Sequence, residues 1–293
     1  MTHNEENAGT APTSADTAKI RLTILSENTV HRHGLLAEHG WAVWIESPGT
    51  KILFDTGQGF VLRHNAKRLE IDLLSADHLV LSHGHFDHTG GLASLLADGC
   101  TATIHAHPDV WRPKYADHKG HPRRSIGVTR EWTKSPPKYT AVTEPASLDG
   151  TFRLTGQIPR NRDFETVEES FLAGEDVIVH DEMLDDLAMF FDTCNGLVVL
   201  TGCSHAGIIN TLETVRKLVP GRPIDTVIGG MHLRAADEDR LSRTLSALWQ
   251  YDVRRVIPAH CTGRRASLAL SDAWGDRCVP CSVGDCFEFV PAE

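Results

Sequence analysis

The run Leu81-Ser82-His83-Gly84-His85-Phe86-Asp87-His88-Thr89-Gly90-Gly91 places three imidazoles and one carboxylate within six residues. Imidazole and carboxylate are the donors that zinc, manganese and iron ions accept. His83 and His85, two apart, can face one ion. Asp87 and His88 can face a second once the chain turns, and Gly84, Gly90 and Gly91 let it turn tightly. The apolar residues 78–81 (HLVL) read as a buried strand, so the cluster leaves a strand's carboxyl end. A surface loop that merely happens to be histidine-rich is the bland alternative. The dense spacing and the strand that feeds it argue for metal chemistry instead.

One strand end cannot complete two coordination shells. Thr201-Gly202-Cys203-Ser204-His205-Ala206-Gly207 follows the apolar run LVVL, and Pro258-Ala259-His260-Cys261-Thr262-Gly263 follows the strand VRRVI. Each sets a histidine beside glycine just past a core strand, so His205 and His260 are read as further ligands. Ile228-Gly229-Gly230-Met231-His232 repeats the pattern, and His232 is assigned an acid–base role. Cys203 is read either as a metal ligand or as a buried thiol. His180, ending DVIVH, is a weaker ligand candidate.

The elements that must position these residues follow from periodicity. Residues 19–25 (KIRLTIL) read as a strand, and 41–46 with 51–54 as a hairpin around SPGT. A tight loop at Asp55-Thr56-Gly57-Gln58-Gly59 and a helix over 60–69 come next. A helix over 91–97 and a strand over 102–105 follow the cluster. Strands over 187–191, 197–200, 225–228 and 253–258 alternate with helices over 207–218 and 238–249. Such alternation indicates an α/β layered fold. The intervening stretch of about 108–150 has little periodicity and reads as a lid-like excursion.

Length and composition set bounds. A chain of 293 residues with 41% hydrophobic and 23% charged residues is ordinary for a globular protein. A net charge of −10 excludes bulk nucleic-acid binding. No apolar run is long enough to span a bilayer, and the polar N-terminus carries no signal pattern. Residues 1–18 are expected to form a disordered tail and 19–293 a single domain. Seven scattered cysteines argue for a reducing cytoplasm rather than a disulfide framework. Cys278 and Cys281, with Cys286, form at most half a zinc site and are read as unligated thiols.

The excursion holds Arg112, Lys114, Lys119, Arg123, Arg124, Arg130, Lys134 and Lys138, opposed by Asp109, Asp117 and Glu131. A basic patch on an acidic protein suits an anionic substrate, although a solvated loop reads as well. Arg123 and Arg124, with Arg160 and Arg162 further on, are the anion-binding candidates, and Trp111 is a stacking candidate beside Tyr115 and Trp132.

The His-x-His-x-Asp-His run after a strand resembles the defining motif of the metallo-β-lactamase superfamily. The resemblance covers about residues 19–289. It implies an αβ/βα four-layer sandwich with the metals at one edge between two sheets. It also implies that Asp55, in LFDTG, braces the metal loop. The segments EHGWAVWIE, ILFDTGQG, LSHGHFDHTGGL, TGQIPR, LTGCSHAGIIN, IGGMHL and IPAHCTG are similar to one branch of it. That branch is the dihydropterin ribofuranosyl-aminobenzene 5′-phosphate synthase-like metal-dependent hydrolases. Many superfamily members carry a metal-bridging aspartate in a Thr-Gly-Asp or Ser-Gly-Asp strand end, where this chain has Cys203. Either Cys203 replaces that bridge, which would favour zinc, or His205 replaces the usual third histidine.

The expected function is a metallohydrolase with two divalent ions, zinc first and manganese or iron as alternatives. A metal-activated hydroxide, oriented by Asp87, would attack phosphoric or carboxylic esters of a small anionic molecule. The alternatives are a transferase joining a pterin to a ribofuranosyl-phosphate partner, and a non-catalytic metal-binding regulatory protein. No nucleic acid or membrane partner is expected, and a homodimer is left open.

Overall fold

The computed structural model describes residues 19–292, so the expected tail over 1–18 lies outside the described residues. Two mixed sheets form the centre. The first runs in the order β17-β1-β2-β3-β4-β5-β8. Its strands are β1 (Ile20–Ser26), β2 (Ala42–Ser47), β3 (Thr50–Phe54), β4 (His78–Val80), β5 (Thr103–Ala106), β8 (Thr140–Ala141) and β17 (Cys286–Phe289). The second runs β16-β15-β14-β13-β10-β9. It comprises β9 (Ala146–Ser147), β10 (Phe152–Leu154), β13 (Ala188–Thr193), β14 (Gly196–Thr201), β15 (Ile224–Gly229) and β16 (Arg255–Pro258).

Alternation along the strands builds the layers, because successive side chains of a strand point to opposite faces. In β2, Val43 and Ile45 enter the core between the sheets, while Ala42 and Trp44 face the helices outside. Phe152, Met189, Phe191, Val198 and Leu200 meet them from the second sheet. Helices α1 (Leu62–Arg68) and α3 (Leu92–Ala97) cover the outer face of the first sheet. Helices α5 (Ile208–Leu218), α6 (Glu238–Gln250) and α7 (Arg264–Trp274) cover that of the second. The result is the expected αβ/βα sandwich. Strands buried on both faces explain the unbroken apolar runs such as LVVL.

The stretch over 108–150 is more structured than its sequence suggests. After a 3-10 turn at Pro108–Trp111 come β6 (Lys114–Ala116), β7 (Arg124–Ser125) and α4 (Arg130–Lys134). β8 and β9 then extend the edges of the two large sheets. β6 and β7 join β11 (Phe171–Ala173) and β12 (Val179–His180) in a four-stranded antiparallel sheet. Ala116, Ile126, Phe171 and Met183 give that sheet a small core of its own. The helix α7 and the closing strand β17 were not read from the sequence.

The site follows from where parallel strands end. β3 and β4 are parallel, as are β14, β15 and β16. Phe54 lies level with Val80, Thr201 with Gly229, and Gly229 with Pro258. Their carboxyl ends therefore release Asp55, the His83 loop, Cys203, His232 and His260 at one edge of the sandwich, the usual place for a site in such sheets. No helix among the described residues is long and apolar enough to cross a membrane.

Candidate metal centre

The short helix α2 (Phe86–Thr89) follows His85 and turns Asp87 and His88 back toward the sheets. Glycine is required inside this loop. A Cβ on Gly84 would stand 2.4 Å from the Val110 carbonyl oxygen, and one on Gly90 2.4 Å from that of Gln58. Around the loop, four non-glycine residues adopt left-handed backbone: Asp55 (φ 58°), Ser204 (φ 58°), His232 (φ 47°) and His260 (φ 48°). Each such residue costs about 1–3 kcal/mol and persists only where surrounding packing enforces it.

Two donor groups emerge. His83, His85 and His205 bring ligand atoms within 4.8 Å of one another, all three buried. Asp87, His260 and His39 form a second group, with Asp87 Oδ2 3.3 Å from His260 Nε2 and 3.2 Å from His39 Nε2. His88 Nε2 stands 3.2 Å from His260 Nε2 and 4.0 Å from Asp87 Oδ2. Cys203 lies between the groups. It shares one donor set with His83 and His88, another with His205 and His232, and a third with His260 and Cys261. Both residues left open by the sequence therefore stand in the centre: His205 completes the first trio, and Cys203 sits 3.2 Å from His88 Nε2.

The donors fit metal ions on the chemistry of their free atoms. The Nε2 atoms of His83 and His85 and both ring nitrogens of His205 are buried with no hydrogen-bond partner. Buried polar atoms are rarely left so, and a role as metal donors is a sufficient reason. The outer nitrogens are anchored, which fixes ring orientation. His88 Nδ1 donates to Asp55 Oδ2 at 2.7 Å. His83 Nδ1 meets the Ser82 hydroxyl at 2.9 Å, and that hydroxyl donates to the same Asp55 oxygen at 2.7 Å. His260 Nδ1 lies 3.0 Å from Asn28 Oδ1. Asp55, fully buried, also accepts from the Ser82 amide at 2.7 Å, so one carboxylate orients two candidate ligands.

For the first donor group the electrostatics point the same way. Burial, reinforced by neighbouring imidazoles, holds His83 and His205 well below the ordinary histidine range. Burial likewise pulls His85 down to about 3. Neutral imidazole is the form that binds a metal. For His88, burial is outweighed by Asp55 and Asp87, which raise it. Burial pushes Asp87 up, but His88, His260 and His39 together hold it well below the usual carboxylate range. For His232, burial is overcome by Cys261 and Glu168, leaving it at about 9. Its Nε2 meets Glu168 Oε1 at 3.0 Å, and its Nδ1 is buried without a partner.

A cavity of about 360 Å³ opens over these donors, walled by Ala116, Ile126 and Phe171, with Arg124, His118 and Arg234 among its polar lining. Arg124 thus reaches the site. Arg123, exposed, pairs with Asp117 at 3.3 Å and does not line the cavity.

Three other site assignments from the sequence are corrected. Trp111 is buried in the core under the first sheet, packed against Trp132 and Tyr139, and has no face for a ligand. Arg160 donates to the Met183 carbonyl at 3.0 Å and does not line the cavity. His180 is exposed on β12, beside Glu182 and the Glu168 carbonyl, outside every donor group among the described residues. Lys114, counted with the basic patch, is fully buried: its Nζ bonds Asp181 at 2.7 Å and Asp185 at 2.9 Å. Asp185 in turn accepts from the Gly84 amide at 2.7 Å, so this trio braces the loop between His83 and His85. Cys278 and Cys281 join no donor group among the described residues.

Sequence reasoning missed His39, Glu168 and the Lys114 trio. His39 alone carried a signal, a histidine beside glycine at the mouth of β2.

Comparison with known proteins places this architecture. The model of the metallo-beta-lactamase superfamily matches residues 36–260. An uncharacterised protein of Methanocaldococcus jannaschii is 33% identical, over 85% of this chain and 93% of its own. The 7,8-dihydropterin-6-methyl-4-(beta-D-ribofuranosyl)-aminobenzene-5′-phosphate synthase of the same organism is 30% identical, over 86% of this chain and 90% of its own. The crystal structure of a metal-dependent hydrolase of the beta-lactamase superfamily superposes with a TM-score of 0.81 at 28% identity, covering 92% of this chain and 99% of its own. The chain belongs to the metallo-beta-lactamase superfamily.

Proposed function

We propose that the chain is a dinuclear metallohydrolase acting on esters of small anionic molecules, phosphoesters foremost. The observation that carries this reading is the convergence of unpartnered ring nitrogens of His83, His85 and His205 beside a second donor group at Asp87, His88 and His260. These residues would hold two divalent ions, zinc first and manganese or iron as alternatives, which would supply an acidified water and Lewis-acid polarisation of the scissile group.

The chain's own residues supply the rest. Asp87, fixed between His39 and His260, orients the attacking water. His232 is held by Glu168 at the cavity wall, placed to deliver a proton to the leaving oxygen. Arg124 and Arg234 supply positive charge around the cavity of a protein whose net charge is −10. That local field favours an anionic ester over a neutral one. Phe171 and Ile126 narrow the cavity and limit water.

The test is a panel of bis(4-nitrophenyl) phosphate, 4-nitrophenyl phosphate, 4-nitrophenyl acetate and a chromogenic β-lactam with metal-loaded protein. Turnover of a phosphoester, lost on chelation and restored by metal, supports the reading. Full turnover by metal-depleted protein refutes it. The relative named as a synthase favours a second reading, the joining of a pterin to a ribofuranosyl-phosphate partner. Assay of that condensation beside the ester panel separates the two.

A further inference from the structure

The cavity over the metal donors is not closed on the β16 side. A second cleft, of about 640 Å³, adjoins it and shares His260 and Arg234 with it. Its floor is apolar: Pro258, Ala259, Leu268, Pro280 and Cys281 line it. Leu268, 57% exposed on the first turns of α7, presents its side chain to this trough. Cys278 and Cys281, left without a role above, also line this wall. Burial raises both thiols, so they stay protonated and the wall stays uncharged.

The charged groups around the cleft are of one effective sign. Arg234 and Arg264 line it and make no ion pair among the described residues. The neighbouring Arg265, by contrast, is spent on Glu238. Among the described residues the only carboxylate in the lining, Glu27, is fully engaged. Its Oε1 accepts from the His260 amide at 2.8 Å, and its Oε2 from the amide and hydroxyl of Thr29. An apolar trough with two uncommitted guanidinium groups, continuous with a metal centre, suits a ligand with an apolar body and a remote negative charge.

We infer that this cleft is a second substrate subsite. It takes an organic anion whose reacting group lies over the metal donors. The apolar, preferably aromatic body passes His260 onto Leu268 and Pro280, and a distal carboxylate or phosphate pairs with Arg264 and Arg234. The inference rests on the proposed hydrolase reading only for which end of the ligand reacts. Specificity would then come from the length and charge of the substrate rather than from its ester type.

Isothermal titration of metal-loaded protein with 4-phosphonobenzoate and with methylphosphonate tests this. The first probe carries an anion at each end of an aryl body, and the second reaches only the metal cavity. Wild type should bind the aryl probe at least about tenfold more tightly. Arg264→Ala removes one cation, and Ser267→Trp fills the trough from α7. Each should cut that preference to below about threefold and leave methylphosphonate affinity unchanged, with melting curves confirming the fold. No preference in wild type, a preference that survives both variants, or no binding of the aryl probe overturns the subsite. Binding does not require turnover. Phosphoester hydrolysis with cleft-independent binding would sink the subsite alone, and cleft-dependent binding without hydrolysis would sink the hydrolase reading alone.

Discussion

Lys114→Met probes how the metal loop is held. In the wild-type fold Lys114 Nζ is inaccessible and lies 2.7 Å from Asp181 and 2.9 Å from Asp185. Burial works against its charge, but Asp185 and Asp181 win and raise its pKa above 10.5. Methionine keeps the length and removes the cation, leaving two buried carboxylates facing each other. Breaking a buried charge set this way costs about 3–5 kcal/mol. Total stability is about 5–15 kcal/mol, so the loss is a large share of it. At about 1.6 °C per kcal/mol for a chain of this size, the melting temperature should fall by about 5–8 °C. Because the lysine pKa is raised on folding, its contribution is complete below pH 10.5 and is lost only as the pH rises through the folded value. The deficit of the variant should therefore be constant from neutral pH up to that range. Calorimetry or melting followed by circular dichroism reads it. Adding Asp181→Asn to Lys114→Met should restore at least half of the loss, since the unpaired charge causes it. A fall below about 3 °C, or no recovery in the double variant, would refute the reasoning.

Asp55→Asn should weaken metal binding by about 10–100-fold, because an amide has one acceptor oxygen: turned toward the Ser82 hydroxyl and His88 Nδ1 it sets its NH2 against the Ser82 amide, and turned the other way it loses both of them. Competition with a chromogenic chelator measures it, and unchanged affinity would contradict the bracing role. Glu165 is buried and caps the first amides of α5 at Ile209 and Asn210, with burial raising it to about 7 from 4.5. Its protonated form is favoured by folding, so that stability is full below 4.5 and fades as pH rises to about 7, on the order of 3 kcal/mol. Glu165→Gln should accordingly flatten the fall in melting temperature between pH 5 and about 8, and an unaltered slope counts against the assignment. Arg124→Ala should raise KM for an anionic phosphoester by about fivefold or more, while Arg123→Ala, whose cation is held by Asp117 at the surface, leaves it within about twofold. Equal effects from the two would undo the distinction between them.

What could be read in the sequence was local. The run from His83 to His88 is contiguous, and one strand delivers it, so its donors needed no knowledge of the rest of the fold. His205, His232 and His260 were readable because each stands a few residues past an apolar strand, and parallel strands gather such ends at one edge. The departures have a common physical cause: residue type does not set exposure where the packing partners lie far along the chain. Lys114 is buried because its partners, Asp181 and Asp185, lie 67 and 71 positions away. Trp111 is core because Trp132 and Tyr139 fold back onto it. Arg160 is half-buried and turns one guanidinium nitrogen to a carbonyl rather than to the cavity. None of those pairings leaves a trace in local pattern. The excursion itself was legible as a break in regular structure, but not as a small sheet whose Phe171 stands against His85 and His205.

Metal content per chain tests the central claim most directly. Elemental analysis of protein purified after loading with zinc should give two ions in the wild type. His205→Ala should lose the ion of the His83 group, and Asp87→Asn that of the His260 group, so each variant keeps about one. A single ion in the wild type, or two ions retained by His205→Ala, would contradict the account.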